Sequence, residues 1–227
     1  MGKGKRADSI VSLVITAVIA VAAIAAVVVL IVTQTNKKDT ETSDQASASQ
    51  ATALLNECSA AAQTLMQDNY TVIRLFVTEG LAYKTVYGNP AEDGYYSVDD
   101  DVYKHYSQIE ELVKGVYVAE EAERILTRFP VKVDGGTKDM QIYTEHKDPS
   151  TAEMCLGITD AFKPDTEYTR DWSQCMISVH PESDTACTLK VILNGYTEEQ
   201  AAAHPEAVLT ANMVKQNGEW RLQEMLR

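Results

Sequence analysis

The chain reads as an α+β domain set behind a transmembrane helix, on three observations. Ile10 to Val32 is a run of 23 residues with no charge, no Gly and no Pro. From Gln50 to Phe129 the apolar residues recur at helical spacing, and after Pro130 their period falls to two. Helices first and antiparallel strands afterwards predict helices packed on one face of a curved antiparallel sheet.

The first run is long enough to cross a bilayer. At about 1.5 Å of rise per residue it makes a helix of roughly 34 Å, against a hydrocarbon core of about 30 Å. Ile10, Leu13, Ile24, Leu30 and Val32 mark its apolar length, and its end is β-branched and bulky where signal cleavage needs small residues. No Cys follows closely for lipidation, and Arg6 stands where a myristoylation motif wants Ser or Thr. The segment is therefore expected to stay as an anchor. Lys3, Lys5 and Arg6 precede it and Lys37 and Lys38 follow. The positive-inside rule then puts residues 1–9 in the cytoplasm and the large C-terminal domain outside the cell membrane. Residues 33–49 read as a polar linker and 50–227 as the extracytoplasmic domain.

The whole chain carries −13, yet residues 1–38 hold five cations against one anion, so the remainder carries −17. Such a domain repels phosphate backbones, which argues against nucleic acid; it would suit a basic protein partner in the envelope, and charge that simply keeps the domain soluble is the plainer reading. The four cysteines, Cys58, Cys155, Cys175 and Cys187, all follow the apolar run. On an oxidising side they allow two disulfides in three connectivities, most simply a cross-strand Cys175–Cys187 bridge, or else they are buried thiols. No Cys-x-x-Cys and no His at ligand spacing suggests a metal, and no cofactor motif occurs.

Leu54, Leu55, Cys58, Ala62, Leu65 and Met66 share one helical face, and the stripe resumes at Val72, Ile73, Phe76 and Tyr83. One long helix or two in tandem fit, ended by Gly88-Asn89-Pro90. Gly94-Tyr95-Tyr96-Ser97-Val98 reads as a short strand or an extended entry. Two helices follow, Tyr106 to Tyr117 and Ala119 to Phe129, with Glu120 and Glu121 in the first turn of the second and Pro130 as its stop. Val131–Val133 and Met140–Tyr143 flank Asp134-Gly135-Gly136 as a hairpin. Further strands are predicted at Met154–Ile158, Trp172–Val179, Thr185–Leu193, Val208–Lys215 and Glu219–Met225.

Chemistry is sparse. His105, His146, His180 and His204 are scattered without a His-Glu-x-x-His, and no Gly-x-Ser-x-Gly or phosphate-cradling loop occurs. No catalytic residue is assigned, and the domain is expected to be non-enzymatic. Asp99-Asp100-Asp101 lacks the spacing of a calcium loop and reads as a helix-capping run. Tyrosines crowd one stretch, and Tyr95, Tyr96, Tyr103 and Tyr106 are the candidate interface residues, a half-buried helix–sheet seam being the plainer reading. Asn69-Tyr70-Thr71 fits a glycosylation sequon.

At Val214-Lys215-Gln216-Asn217-Gly218-Glu219-Trp220-Arg221-Leu222 the last hairpin resembles the close of NTF2-like or cystatin-like extracytoplasmic domains. Gly94-Tyr95-Tyr96, followed by helices around Ile109–Val113 and Ala122–Leu126, is similar to the middle of IseA-type inhibitors of bacterial cell-wall endopeptidases. The first resemblance implies helices on a curved sheet with a pocket between them. The second implies a regulatory domain that occupies a hydrolase cleft. A small-ligand sensory module and a structural subunit of an envelope assembly are the alternatives.

Overall fold

The computed structural model describes residues 42–85, 90–133 and 136–227. The anchor expected at 10–32 and the flanking cations lie outside the described residues, among which no helix is long and apolar enough to cross a membrane. Two compact units divide the chain, Met1–Ser49 and Gln50–Arg227. Only residues 42–49 of the first are described, and they are helical.

The element order is α+β with antiparallel pairing throughout the sheets. Helix α1 runs Thr42–Ile73, beginning inside the segment read as linker. The Ala, Ser and Gln residues there are compatible with helix, and nothing between Thr42 and Gln50 breaks one. The helix passes directly into one π-helical turn, Arg74–Thr78. The helical run ends at Thr78, ten residues before Gly88, because Glu79 N–H and Gly80 N–H both donate to the Arg74 carbonyl, at 2.9 and 3.0 Å. Gly80 takes φ +69°, and a Cβ there would lie 2.5 Å from Phe162 Cε1. A glycine signal was the right kind of stop, but the nearer one acts. Tyr83 thus leaves the helical stripe and bridges Val98 instead.

Strand β1 is Tyr95–Ser97, followed by α2 at Tyr106–Val116 and α3 at Ala119–Thr127. Both helices are amphipathic, burying Ile109, Val113 and Val116 on the one and Ala122, Ile125 and Leu126 on the other. Helix α3 ends before Pro130, which sits instead in strand β2, Phe129–Val133. Its partner is β3, Gly136–Met140, with Phe129 opposite Met140 and Val133 opposite Gly136. The expected Met140–Tyr143 arm is therefore two different strands, since the chain leaves the hairpin at Gln141 and starts β4 at Tyr143–Lys147.

Strand β5, Met154–Thr159, pairs with both β1 and β4. The rest is β6 (Met176–Ser183), β7 (Ala186–Ile192), a short helix α4 (Glu198–Ala201), a 3-10 turn (Pro205–Ala207), β8 (Val208–Gln216) and β9 (Glu219–Leu222). Where one curved sheet was expected, three form: β1-β5-β4, β2-β3 and β6-β7-β8-β9. The period-two pattern identifies strands without saying which edges pair.

One continuous apolar core joins these layers. In the four-stranded sheet Cys187, Leu189, Val191, Ala211 and Met213 alternate inward with Thr188, Lys190 and Asn212 outward. In the three-stranded sheet Leu156, Ile158 and Tyr143 face the core, each apolar side chain contributing about 2 kcal/mol by burial. A polar tie runs through this core. Asn69, 0 % exposed, donates to the Leu226 carbonyl at 3.1 Å and accepts from Tyr117 Oη at 2.8 Å and Leu226 N–H at 3.2 Å.

Candidate functional site

A chemically suggestive recess is a cleft of about 530 Å³ between the end of α1, the β2–β3 hairpin and the segment after β5. Its aromatic lining contains all three phenylalanines of the chain, Phe76, Phe129 and Phe162, together with Tyr168. Phe76 and Phe129 are buried and meet at 5.5 Å between ring centroids, forming the floor. Phe76 also meets Tyr143 edge-on at 5.2 Å. Tyr143 is fixed in turn by donating to the Leu75 carbonyl at 2.7 Å.

The wall after β5 is held by backbone and charge. Asp165 N–H donates to the Val77 carbonyl at 2.7 Å, tying this segment to the π-helical turn. The Asp165 carboxylate accepts from Lys132 Nζ at 3.0 Å, and Glu167 reaches the same ammonium at 3.4 Å. Lys132 beside it holds the Asp165 carboxyl below its usual value, against the opposing effect of burial. Tyr168 accepts from Trp172 Nε1 at 2.7 Å, which fixes the phenol at the cleft wall.

Two basic residues of the lining, Lys163 and Arg170, make no ion pair among the described residues. A third, Arg227, lies with its guanidinium 5.7 Å from the Phe129 ring centroid, a cation–π distance. In a domain of strong negative charge, the cleft thus gathers free cations over an aromatic floor. Flat rings supply apolar contact area and the guanidinium supplies a planar fork for carboxylate, phosphate or sulfonate. Sequence reasoning missed this grouping. The signal available was the scarcity of Phe, and it carries no spacing that would predict a meeting in space.

A second cluster lies on the outer face of β1-β5-β4. His146, 2 % exposed, has Nδ1 2.8 Å from Asp93 Oδ2, and its buried Nε2 has no partner. Gly157 makes room for it, since a Cβ there would lie 2.5 Å from His146 Cβ. Ser97 and Cys155 share this face, and Asp148 is buried nearby. Burial pushes the Asp148 carboxyl up, but N–H donors from Ser150 and Thr151, at 2.7 and 3.2 Å, help to leave it below the usual value. Burial raises the Cys155 thiol. Among the described residues no three His, Cys, Asp or Glu side chains gather as a metal site.

The tyrosines singled out in the sequence divide between environments. Tyr95 and Tyr96 are consecutive on β1 and so face opposite sides of the sheet. Tyr95 lies near His146 and donates to the Gln141 carbonyl at 3.3 Å, whereas Tyr96 packs on the core and stacks on Tyr83 at 4.6 Å. Tyr103 and Tyr106 are half-buried against the core. Asp100 Oδ1 accepts from Val102 and Tyr103 N–H at 2.8 and 2.9 Å, so part of the acidic run is spent on a local turn.

All four cysteines are free thiols. The Cys175–Cys187 bridge is ruled out by register: Met176 pairs with Ile192 while Cys187 pairs with Pro181, so the two lie at opposite ends of the β6–β7 ladder. Five or six residues of strand separate them, on the order of 15–20 Å. The sequon at Asn69 is likewise closed, because both ends of its amide are hydrogen-bonded inside the core. No protein-family model matches the chain, and no curated protein is similar enough to count as a relative.

Proposed function

We propose that the chain is a single-pass, membrane-anchored extracytoplasmic binding domain without catalytic chemistry of its own, and that the Phe-floored cleft is its binding site. The observation that carries this is the convergence of Phe76, Phe129 and Phe162 with the unpaired cations Lys163 and Arg170. The ligand that fits has a flat apolar portion and an anionic group. A recess between helices and sheet is where an NTF2-like or cystatin-like domain holds a small molecule, and the sequence resemblance supports that comparison. The anchor and its orientation rest on the apolar run and the cations before it.

Phenyl phosphate is a suitable probe, having one ring and one dianion and little affinity for detergent. Calorimetric titration into the full chain in neutral detergent should give saturable one-to-one binding. The Kd is expected on the order of 0.1–1 mM, in line with about −0.4 kcal/mol per heavy atom. Arg170→Ala should weaken it roughly 10-fold by loss of a charge-assisted contact. Absence of saturable binding, or binding indifferent to that substitution, would remove the cleft as the site.

A second reading is favoured by the −17 carried by residues 39–227: an acidic domain that docks on a basic cleft of a cell-wall hydrolase. In that case the purified chain slows digestion of isolated cell wall by such an enzyme, with an effect that fades as salt rises.

A further inference from the structure

Tyr168 stands on the cleft wall with a hydroxyl that is half used. Its oxygen accepts from Trp172 Nε1 at 2.7 Å, and among the described residues nothing accepts its hydrogen. A phenol carries its O–H in the ring plane, with a lone pair on the other side of the oxygen. The indole N–H fills the lone-pair side, so the O–H is turned away from Trp172. Trp172 is 5 % exposed and belongs to the core, whereas Tyr168 is half-buried and lines the cleft. The hydroxyl is therefore a donor directed off the core, on the side where the cleft opens.

Both partners are held from elsewhere in the fold. Tyr168 N–H closes a turn on the Asp165 carbonyl at 3.3 Å, and Asp165 is itself tied to the Val77 carbonyl and to Lys132. Trp172 follows Asp171, whose N–H donates to Asn194 Oδ1 at 2.8 Å and whose carbonyl accepts from Asn194 N–H at 3.1 Å. That reciprocal pair fixes Trp172 to the turn after β7. A donor already held in place costs little ordering when a ligand arrives. The carboxylates nearest in sequence, Asp165 and Glu167, are both engaged by Lys132 and leave the hydroxyl alone.

We propose that the Tyr168 hydroxyl is the donor that binds the anionic oxygen of the cleft's ligand, and that Trp172 is the positioning residue that holds it as a donor. The rings and the cations alone would take any aromatic anion. The phenol adds the requirement for an acceptor oxygen, which a carboxylate, phosphate or sulfonate supplies. Burial raises the Tyr168 phenol above its usual value, so the donor keeps its proton through neutral and mildly alkaline pH. The assignment rests on the cleft being the binding site and adds the residue that reads its ligand.

The test uses phenyl phosphate and the full chain, labelled with heavy nitrogen, in neutral detergent. The chain has two tryptophans, Trp172 and Trp220, so two indole N–H resonances are expected, and Trp172→Phe identifies the first by removing it. When the phenol donates to the phosphate, its oxygen becomes a stronger acceptor. The Trp172 resonance should therefore move downfield and saturate with the calorimetric Kd, while that of Trp220, bound to Glu57, stays still. Tyr168→Phe should weaken binding roughly 10-fold, by loss of a hydrogen bond to a charged group, and abolish the shift. It leaves the indole N–H without an acceptor. The double variant Tyr168→Phe with Trp172→Phe removes both partners and should show the same loss of affinity. Wild-type binding that Arg170→Ala weakens and Tyr168→Phe leaves unchanged, with a still Trp172 resonance, would overturn the assignment and keep the cleft. Absence of saturable wild-type binding would overturn both.

Discussion

Asn69 shows how much one side chain can hold together. Its amide satisfies the Tyr117 hydroxyl and both backbone groups of Leu226, three contacts that span 48 and 157 residues of sequence. A buried group left unpaired costs about 1–3 kcal/mol, and Asn69→Ala strands more than one. That substitution should therefore destabilise by about 3–4 kcal/mol in denaturant unfolding, while Tyr117→Phe, which removes a single donor, should cost about 1 kcal/mol. Equal and small effects would mean that water replaces the amide. The same residue marks where sequence reading stopped. In the sequence Asp68-Asn69 is a polar interruption of an apolar stripe, because a pattern records polarity and not whether partners from distant segments will satisfy it. His146 and Asp93 were invisible for the same reason, being 53 residues apart.

At the scale of elements, period and turn chemistry carried the reading well where a segment is amphipathic by itself. Helices α2 and α3 and strands β5, β7 and β8 fall close to their expected bounds, each having one apolar face to bury. Strand β4 was missed because Tyr143 and His146 are buried on opposite faces, which erases the alternation. That double burial rests on Gly157. A Cβ there would meet His146 Cβ at 2.5 Å and Tyr95 Cβ at 3.3 Å, inside a pleat where neither strand can yield. Gly157→Ala should accordingly cost about 2–3 kcal/mol as overpacking. In the double variant with His146→Ala, part of that cost should return, because the clash is with His146 itself. Strictly additive losses in unfolding experiments would show that the strain lies in the backbone.

For the whole molecule, the division of labour lies in the chain's own composition. Fifteen of the 23 residues from Ile10 to Val32 are Ile, Leu or Val. At roughly −0.4 kcal/mol each for insertion, they favour the bilayer by on the order of 5 kcal/mol after the Ser and Thr are counted. The core residues named above all lie within Gln50–Arg227, so that unit contains what a fold needs without the first. Two consequences follow from this separation. The full chain should stay with membranes through extraction at alkaline pH, since an integral helix is held by burial and not by charge. A chain starting at Gln50 should appear in the supernatant and unfold cooperatively, within about 1 kcal/mol of the full chain, because it keeps every core residue named above. Release of the full chain at alkaline pH would take away the anchor and, with it, the placement of the cleft outside the cell. A fragment that is soluble but unfolds without cooperativity would instead mean that residues before Gln50 complete the domain.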